Sequence, residues 1–346
     1  MNKVIVVCGP TATGKTALGI ELALGLGGEI VSADSMQVYR RMDIGTAKAS
    51  PAEQARVPHH MIDVCEPWED YSVSRYVQEA SAVCDGLLAA GKIPVIVGGT
   101  GLYIDSLLSG RDFAGREEGD DGLRASLAAD YDRLGGPAML ERLRAVDPER
   151  AARLHPGDKR RIVRALEIYR LTGKTITRHD EETRSLPPRY EAAVIALRFA
   201  DRADLYARID RRVEQMVAAG LFEEVEALLA EGLSPACTAM QAIGYKEAAL
   251  ALRGELSRQE AKELIQLNSR RYAKRQLTWF GRNPRARWIV WDREPDLRTA
   301  DELKTEILKS LRGQIGSSPR GTLGFFILQF SVFSLPFDSL LPRSGL

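Results

Sequence analysis

Short strand-like segments recur in the first hundred residues, as apolar runs at 4–8 and 93–97 and as mainly apolar ones at 29–32 and 61–64. Between them the apolar residues repeat at helical spacing, as Leu18, Leu22 and Leu26 do over 15–26. Strands this short and this apolar are buried on both faces, so the alternation predicts a parallel sheet with crossover helices. Ser72 or Ser74 is placed to cap a helix that runs to about residue 90. From about 111 to 188 the spacing becomes wholly helical and the strand signals vanish. Gly135, Gly136 and Pro137 separate one helix pair there, and Asp147-Pro148 opens another helix. A further strand is predicted at 193–197, then helices at 202–218, 221–230, 245–253 and 257–280. A last strand at 288–291 and a helix at 300–312 follow. No internal repeat is visible.

The expectation is an α/β fold: a P-loop NTPase-like core with a parallel sheet over 1–110 and 189–312, and an inserted α-helical domain over 111–188. The final stretch, 313–346, changes character to an apolar tail. Its run at 323–333 is shorter than the roughly 20 residues of a membrane span, and Gln329 and Pro336 interrupt or end it. It is expected to be a poorly ordered extension outside the catalytic fold, with no membrane partner.

Composition narrows the chemistry. A chain of 346 residues, 45% hydrophobic, is long enough for one large core or two smaller ones. A net charge of +1 argues against a uniformly basic nucleic-acid binder, so such a role must rest on local patches. Cys8, Cys65, Cys84 and Cys237 lie far apart, which predicts reduced thiols in the cytoplasm and no structural zinc. The chain opens on a strand, not on a charged leader with an apolar stretch.

The strongest chemical signal follows the first strand. Gly9, Pro10, Thr11, Ala12, Thr13, Gly14, Lys15 and Thr16 spell G-x-x-x-x-G-K-T between that strand and an amphipathic helix. Backbone N–H groups of such a loop converge on phosphate oxygens, and the helix aims its positive end there. Lys15 supplies a point charge, and Thr16 a hydroxyl for Mg2+. The pattern predicts a di- or triphosphate ligand without saying what carries it.

Asp34 follows the second strand, on the sheet edge where ligands bind in open α/β folds. It suits a general base or a metal-facing carboxylate; a turn aspartate capping the next helix is the plain alternative. Gln37 adds a two-sided amide suited to a nucleobase edge. The strand at 93–97 ends in Gly98-Gly99-Thr100-Gly101, where many phosphate-loop ATPases carry a magnesium aspartate, and this weakens an ATPase reading. Arg208 and Arg212, four apart on one helix, can share an anion or form a salt-bridge stripe with Asp204 or Glu214.

Two segments are basic. Eight Lys/Arg face two acids over 153–178, and seven face none over 268–287. The second interleaves Tyr272, Trp279 and Phe280, a mixture suited to phosphate contact and base stacking. Two such patches on a nearly neutral chain point to nucleic acid.

In order along 1–312, GPTATGKT (9–16), DSMQVY (34–39), DIGTAK (43–48), PHH (58–60) and PVIVGGTGLY (94–103) precede HPGDKRRIVRALE (155–167), GYKE (244–247) and YAKRQLTWF (272–280). This set resembles the tRNA dimethylallyltransferase family, also called tRNA isopentenyl (delta-2) transferase, in its bacterial form without a zinc-finger extension. One departure is Gly281, where the family usually has arginine.

The resemblance implies transfer of a dimethylallyl group from dimethylallyl diphosphate to N6 of adenosine 37 in tRNA, beside the anticodon. It implies a diphosphate in the 9–16 loop, Mg2+ on Thr16, Asp34 as general base and Arg212 as the arginine facing the leaving group. Thr100 would lie near the amine or the diphosphate. The grip on the anticodon stem-loop would fall to Asp34, Ser35, Met36, Gln37 and Thr100, to Arg124, Arg160, Arg161 and Arg164, and to Gln241, Gly244, Tyr245 and Lys246. Lys274, Arg275, Gln276, Thr278 and Trp279 complete it. A monomer is expected. A small-molecule kinase of the same fold, a free-AMP prenyltransferase and a non-catalytic RNA-binding module are the alternatives.

Overall fold

The computed structural model describes residues 2–110, 121–295, 301, 302 and 305. Six strands form one sheet in the order β3-β2-β4-β1-β5-β6, every pairing parallel. They are β1 (Lys3–Cys8), β2 (Gly28–Ser32), β3 (His59–His60), β4 (Ile93–Gly98), β5 (Glu191–Phe199) and β6 (Arg287–Trp291). On β1, Ile5 and Val7 join one apolar cluster and Val4, Val6 and Cys8 another. The unbroken apolar run is thus the mark of a strand covered on both faces.

One face carries α1 (Lys15–Leu26), whose Leu18, Ile20 and Leu22 pack on β1, β2, β4 and β5, together with α10 (Arg202–Ala218). The other face carries α3 (Val73–Ala89), α4 (Gly101–Ser109), α11 (Leu221–Ala230) and α12 (Tyr245–Leu252). Short α2 (Pro51–Arg56) starts on a Ser50–Glu53 capping box. Ser72, not Ser74, caps α3 by accepting the Arg75 N–H at 3.1 Å.

The third strand is not where the apolar run 61–64 placed it. Only His59 and His60 pair, with Ile30 and Val31 of β2. Met61 and Asp63 hold φ of 63° and 55°, in the left-handed region, which extended chain cannot contain.

Between α4 and β5 the chain forms α5 (Asp121–Leu134), α6 (Gly136–Val146), α7 (Pro148–Ala152), α8 (Lys159–Thr172) and α9 (Ile176–Ser185). Leu127, Met139, Leu143, Ile162 and Leu166 give α5, α6 and α8 an apolar cluster of their own. Asp147 caps α7 through the Arg150 N–H at 3.1 Å and also receives the Thr177 hydroxyl at 2.6 Å, tying α9 to α7. The long α13 (Arg258–Phe280) returns across the carboxyl end of the sheet. Of the helix expected at 300–312, all but residues 301, 302 and 305 lies outside the described residues, as do the tail and 111–120. Among the described residues, no helix is long and apolar enough to cross a membrane.

Candidate active site

The 9–16 loop leaves β1 where the chain reverses direction across the sheet, with β4 on one side and β5 on the other. Gly9 holds φ 140°, and a Cβ there would stand 2.6 Å from the Leu197 carbonyl oxygen. No other residue fits that approach. The Thr13 hydroxyl donates to the Pro10 carbonyl at 2.8 Å, and Trp291 Nε1 donates to the Thr13 carbonyl at 3.0 Å. The loop is therefore braced from inside and from β6.

Lys15 Nζ donates to the Pro10 carbonyl at 2.6 Å. Burial, then the charge of Arg212, push its ammonium down to about 8, with Asp34 pulling the other way. Arg212 Nη1 donates to Thr11 Oγ1 at 3.4 Å, and Arg208 Nε donates to the Ala12 carbonyl at 3.1 Å. Arg208 also pairs with Glu294. Both arginines thus close on the phosphate loop, and among the described residues neither pairs with Asp204 or Glu214. Burial holds Arg212 low, and the nearby Asp34 carboxylate raises it.

Asp34 sits on the turn after β2. Its Oδ1 accepts the Met36 and Gln37 N–H groups at 2.9 and 3.4 Å. No helix follows, so this is a turn that aims the carboxylate and not a helix cap. Among the described residues no hydrogen bond engages Oδ2. The Thr100 hydroxyl accepts the Ser35 N–H at 3.1 Å, and the Thr100 N–H donates to Ala33 at 3.1 Å. The two turns, after β2 and after β4, are thereby locked edge to edge. Gly98 permits it, because a Cβ there would lie 2.1 Å from the Ala33 oxygen.

One cavity of about 860 Å³ runs from Gly14, Lys15 and Thr16 past Asp34 to Arg212, Tyr272 and Gln276. Ser35, Met36, Gln37, Gln241 and Arg275 also line it. Tyr272, read from sequence only as a stacking aromatic, belongs to this site. Burial, then the Asp34 charge, push its hydroxyl up to about 12. A signal for it exists: Ile265, Ser269, Tyr272 and Gln276 follow helical spacing, and all four face the cavity.

A second missed group holds the site from outside. Glu224 on α11 accepts the N–H groups of Asp43, Ile44 and Gly45 at 3.0, 2.8 and 3.3 Å, plus the Tyr245 hydroxyl. The carbonyls of Thr46 and Ala47 next along receive Gln37 Nε2, both at 3.2 Å. Lys48, its side chain almost fully buried, bridges Asp43 and Asp63 at 2.5 and 2.6 Å.

Several expected tRNA contacts take other roles. Tyr245 is fully buried against Glu224, and Gly244 is buried with its N–H on Glu247 at 2.8 Å, so both are packing positions. Gln276 is buried and its amide joins Thr11 to Gly99. Gln37 directs its amide to Ser32, Thr46 and Ala47 and not to an open edge. Arg124 and Arg164 both reach the fully buried Glu167, at 3.0 and 2.9 Å, because an unpaired carboxylate inside that helix cluster is costly. Arg160, Arg161, Lys246, Lys274, Arg275, Thr278 and Trp279 are exposed. Trp279 donates Nε1 to Asp105 at 2.8 Å and Thr278 bonds its own helix.

A divalent cation fits the cavity. Thr16 offers a hydroxyl beside the phosphate loop, with Asp34 in the same space. Among the described residues no group of three or more His, Cys, Asp or Glu could hold a metal. An ion here would rely on ligand oxygens and water, as Mg2+ commonly does.

The IPP transferase family matches residues 37–283, and the isopentenyl transferase family matches residues 2–63. The tRNA dimethylallyltransferase of Geobacter sulfurreducens is 48% identical over 290 residues, covering 84% of this chain and 92% of that one. The structure of full-length tRNA isopentenylpyrophosphate transferase from Bacillus halodurans superposes with a TM-score of 0.68 at 38% identity, covering 91% and 98%. A eukaryotic dimethylallyltransferase, captured acting on tRNA, superposes with a TM-score of 0.76 at 27% identity, covering 90% and 79%. With the phosphate loop, the Asp34 turn and the α13 face in one cavity, these likenesses place the chain in the tRNA dimethylallyltransferase family.

Proposed function

We propose that this tRNA dimethylallyltransferase takes dimethylallyl diphosphate as donor and alkylates the exocyclic N6 of adenosine 37, next to the anticodon. One observation carries the reading: the phosphate loop and Asp34 line the same cavity, so a diphosphate leaving group and a base for the acceptor share one space. The kinase and free-AMP alternatives give no work to the basic α13 face.

An exocyclic adenine amine is a weak nucleophile and cannot react inside a stacked anticodon loop. The adenosine therefore turns out of the stack into the cavity. As its nitrogen bonds to the terminal allylic carbon, the carbon–oxygen bond to diphosphate breaks and the electron pair leaves with the diphosphate. The N6 proton passes to Asp34, whose Oδ2 faces no competing donor among the described residues. Lys15, the loop N–H groups and Arg212 stabilise the charge that grows on the leaving diphosphate. Mg2+, held through Thr16, supplies further positive charge to that diphosphate when bound. Thr100 fixes the Ser35 turn and so orients Asp34.

Asp34→Ala tests the base assignment in single-turnover assays with labelled dimethylallyl diphosphate and unmodified tRNA. The rate falls by about two to four orders of magnitude while tRNA affinity stays nearly intact. An unchanged rate refutes the role.

A further inference from the structure

The chain leaving β6 crosses the outside of the phosphate loop and acts on three consecutive loop residues. Trp291 Nε1 donates to the Thr13 carbonyl at 3.0 Å. Pro295 lies on Gly14, where an added Cβ would stand 3.2 Å from the proline ring. Glu294 pairs with Arg208, whose Nε donates to the Ala12 carbonyl at 3.1 Å. Arg211 lies 3.7 Å from the same carboxylate, and the Arg208 guanidinium rests over the Phe199 ring, 5.7 Å from its centroid. Arg208 is thus fixed by Glu294, by Phe199 and by the loop itself.

These contacts reach the loop's donors through the geometry of the peptide unit. In a trans peptide the carbonyl of one residue and the N–H of the next point to opposite sides of the chain. Holding the Ala12 and Thr13 carbonyls outward therefore turns the Thr13 and Gly14 N–H groups away from the crossing segment. Among the described residues neither N–H meets an acceptor, although Thr13 is fully buried. A buried donor without a partner is costly, so an anion that accepts these two groups is favoured. The shape itself needs support: Ala12 and Gly14 take φ of 64° and 81°, in the left-handed region that alanine enters only at a cost. Glu294 is 59% exposed, and an ion pair so exposed adds little to stability. Its effect lies in where it keeps Arg208.

We infer that Trp291 and Glu294 are positioning residues for the donor: the 291–295 strap sets the phosphate loop with its N–H groups aimed for diphosphate before a ligand arrives. Neither residue touches the diphosphate; Trp291 acts through the Thr13 peptide and Glu294 through Arg208. The inference rests on the donor reading above and deepens it. Charge alone gives the opposite expectation for Glu294, because a carboxylate beside a diphosphate site repels the ligand and its removal would tighten binding.

The test uses the full-length chain and calorimetric titration with inorganic diphosphate and with dimethylallyl diphosphate, each with Mg2+ and without RNA. Glu294→Ala frees Arg208 from the strap and weakens both ligands by about fivefold, whereas Glu294→Gln keeps an oxygen for Arg208 and restores binding to near wild type. Trp291→Phe keeps a buried ring, loses the Nε1 donor and weakens both ligands by about tenfold, with tRNA affinity unchanged. In turnover assays these losses fall on the donor KM, and kcat at saturating donor is nearly kept. Tighter diphosphate binding by both Glu294 variants would show a charge effect alone and overturns the proposal. Unchanged diphosphate affinity in Glu294→Ala and Trp291→Phe, with a lowered melting temperature, would make the strap a stability element and also overturns it. If wild type binds inorganic diphosphate and not dimethylallyl diphosphate, with the same losses in the variants, the strap stands and the donor reading fails. Wild type that binds neither ligand overturns both.

Discussion

Gln276 accepts the backbone N–H of Thr11 at 3.0 Å, across 265 residues of chain. The other end of the same amide donates to the Gly99 carbonyl at 2.9 Å. One side chain from α13 thus ties the phosphate loop to the turn that carries Thr100. Gly99 is required beneath it, since a Cβ would stand 2.2 Å from Gln276 Nε2.

Gln276→Leu removes both bonds and leaves a part-buried N–H and a buried carbonyl without partners, at a cost of about 1–3 kcal/mol. The loosened loop binds dimethylallyl diphosphate about tenfold more weakly. Titration calorimetry on the purified variant reads both the affinity and, with a melt, the stability. An unchanged donor Kd would show that the amide does not hold the loop.

Lys15 gives the donor site a pH dependence. Its ammonium, pushed down to about 8 chiefly by burial, is charged below that pH and neutral above it. A diphosphate favours the charged form, so donor affinity falls as pH rises from 7 to 9.5, by up to about tenfold per unit above the pKa. Binding near pH 8.5 takes up a proton, visible as a dependence of calorimetric heat on the buffer used. Lys15→Arg keeps its charge throughout and flattens the profile. A wild-type affinity that is flat over this range contradicts the assignment.

Glu224 and Tyr245 act on the acceptor side. Glu224→Gln weakens the hold on the N–H groups of 43–45, and Tyr245→Phe removes one donor to the same carboxylate. Each lowers kcat by about tenfold through the Gln37 and Asp34 turn, of the size expected for about 1.4 kcal/mol of lost positioning. The donor Kd stays unchanged because the phosphate loop is braced separately. A matching drop in donor affinity would point to general unfolding.

Arg124 and Arg160 separate structure from recognition. Arg124→Ala removes one of two partners from the buried Glu167 and lowers the melting temperature, by about 1–3 kcal/mol of stability. Arg160→Ala leaves the melting temperature alone, weakens tRNA binding, and reduces the slope of log affinity against log salt by about one. A melting temperature insensitive to Arg124→Ala would argue that the helical segment does not depend on this pair.

Much of this was legible because it is local. The strand, the G-x-x-x-x-G-K-T loop and α1 are adjacent in sequence, and α10 and α11 fall on the residues their apolar spacing marks, 202–218 and 221–230. What stayed hidden depends on distant partners. The run at 61–64 looks like a strand because its residues are apolar, yet Met61 and Asp63 take positive φ where the 61–65 segment packs against 37–40. Tyr245 and Gln276 carry polar atoms that fit RNA contact, and nothing nearby in sequence reveals that Glu224 accepts the one and the Thr11 N–H donates to the other. Arg124 and Arg164 read as free charge until Glu167 is seen between them. Tyr272 was hidden by its basic neighbours, although its spacing from Ser269 and Gln276 marks one helix face.

The most direct test gives purified full-length protein labelled dimethylallyl diphosphate and unmodified tRNA, with ATP offered in a parallel reaction. Label should move to adenosine 37 with release of diphosphate, and ATP should be left intact. Cleavage of ATP together with no transfer of the five-carbon group would contradict the account.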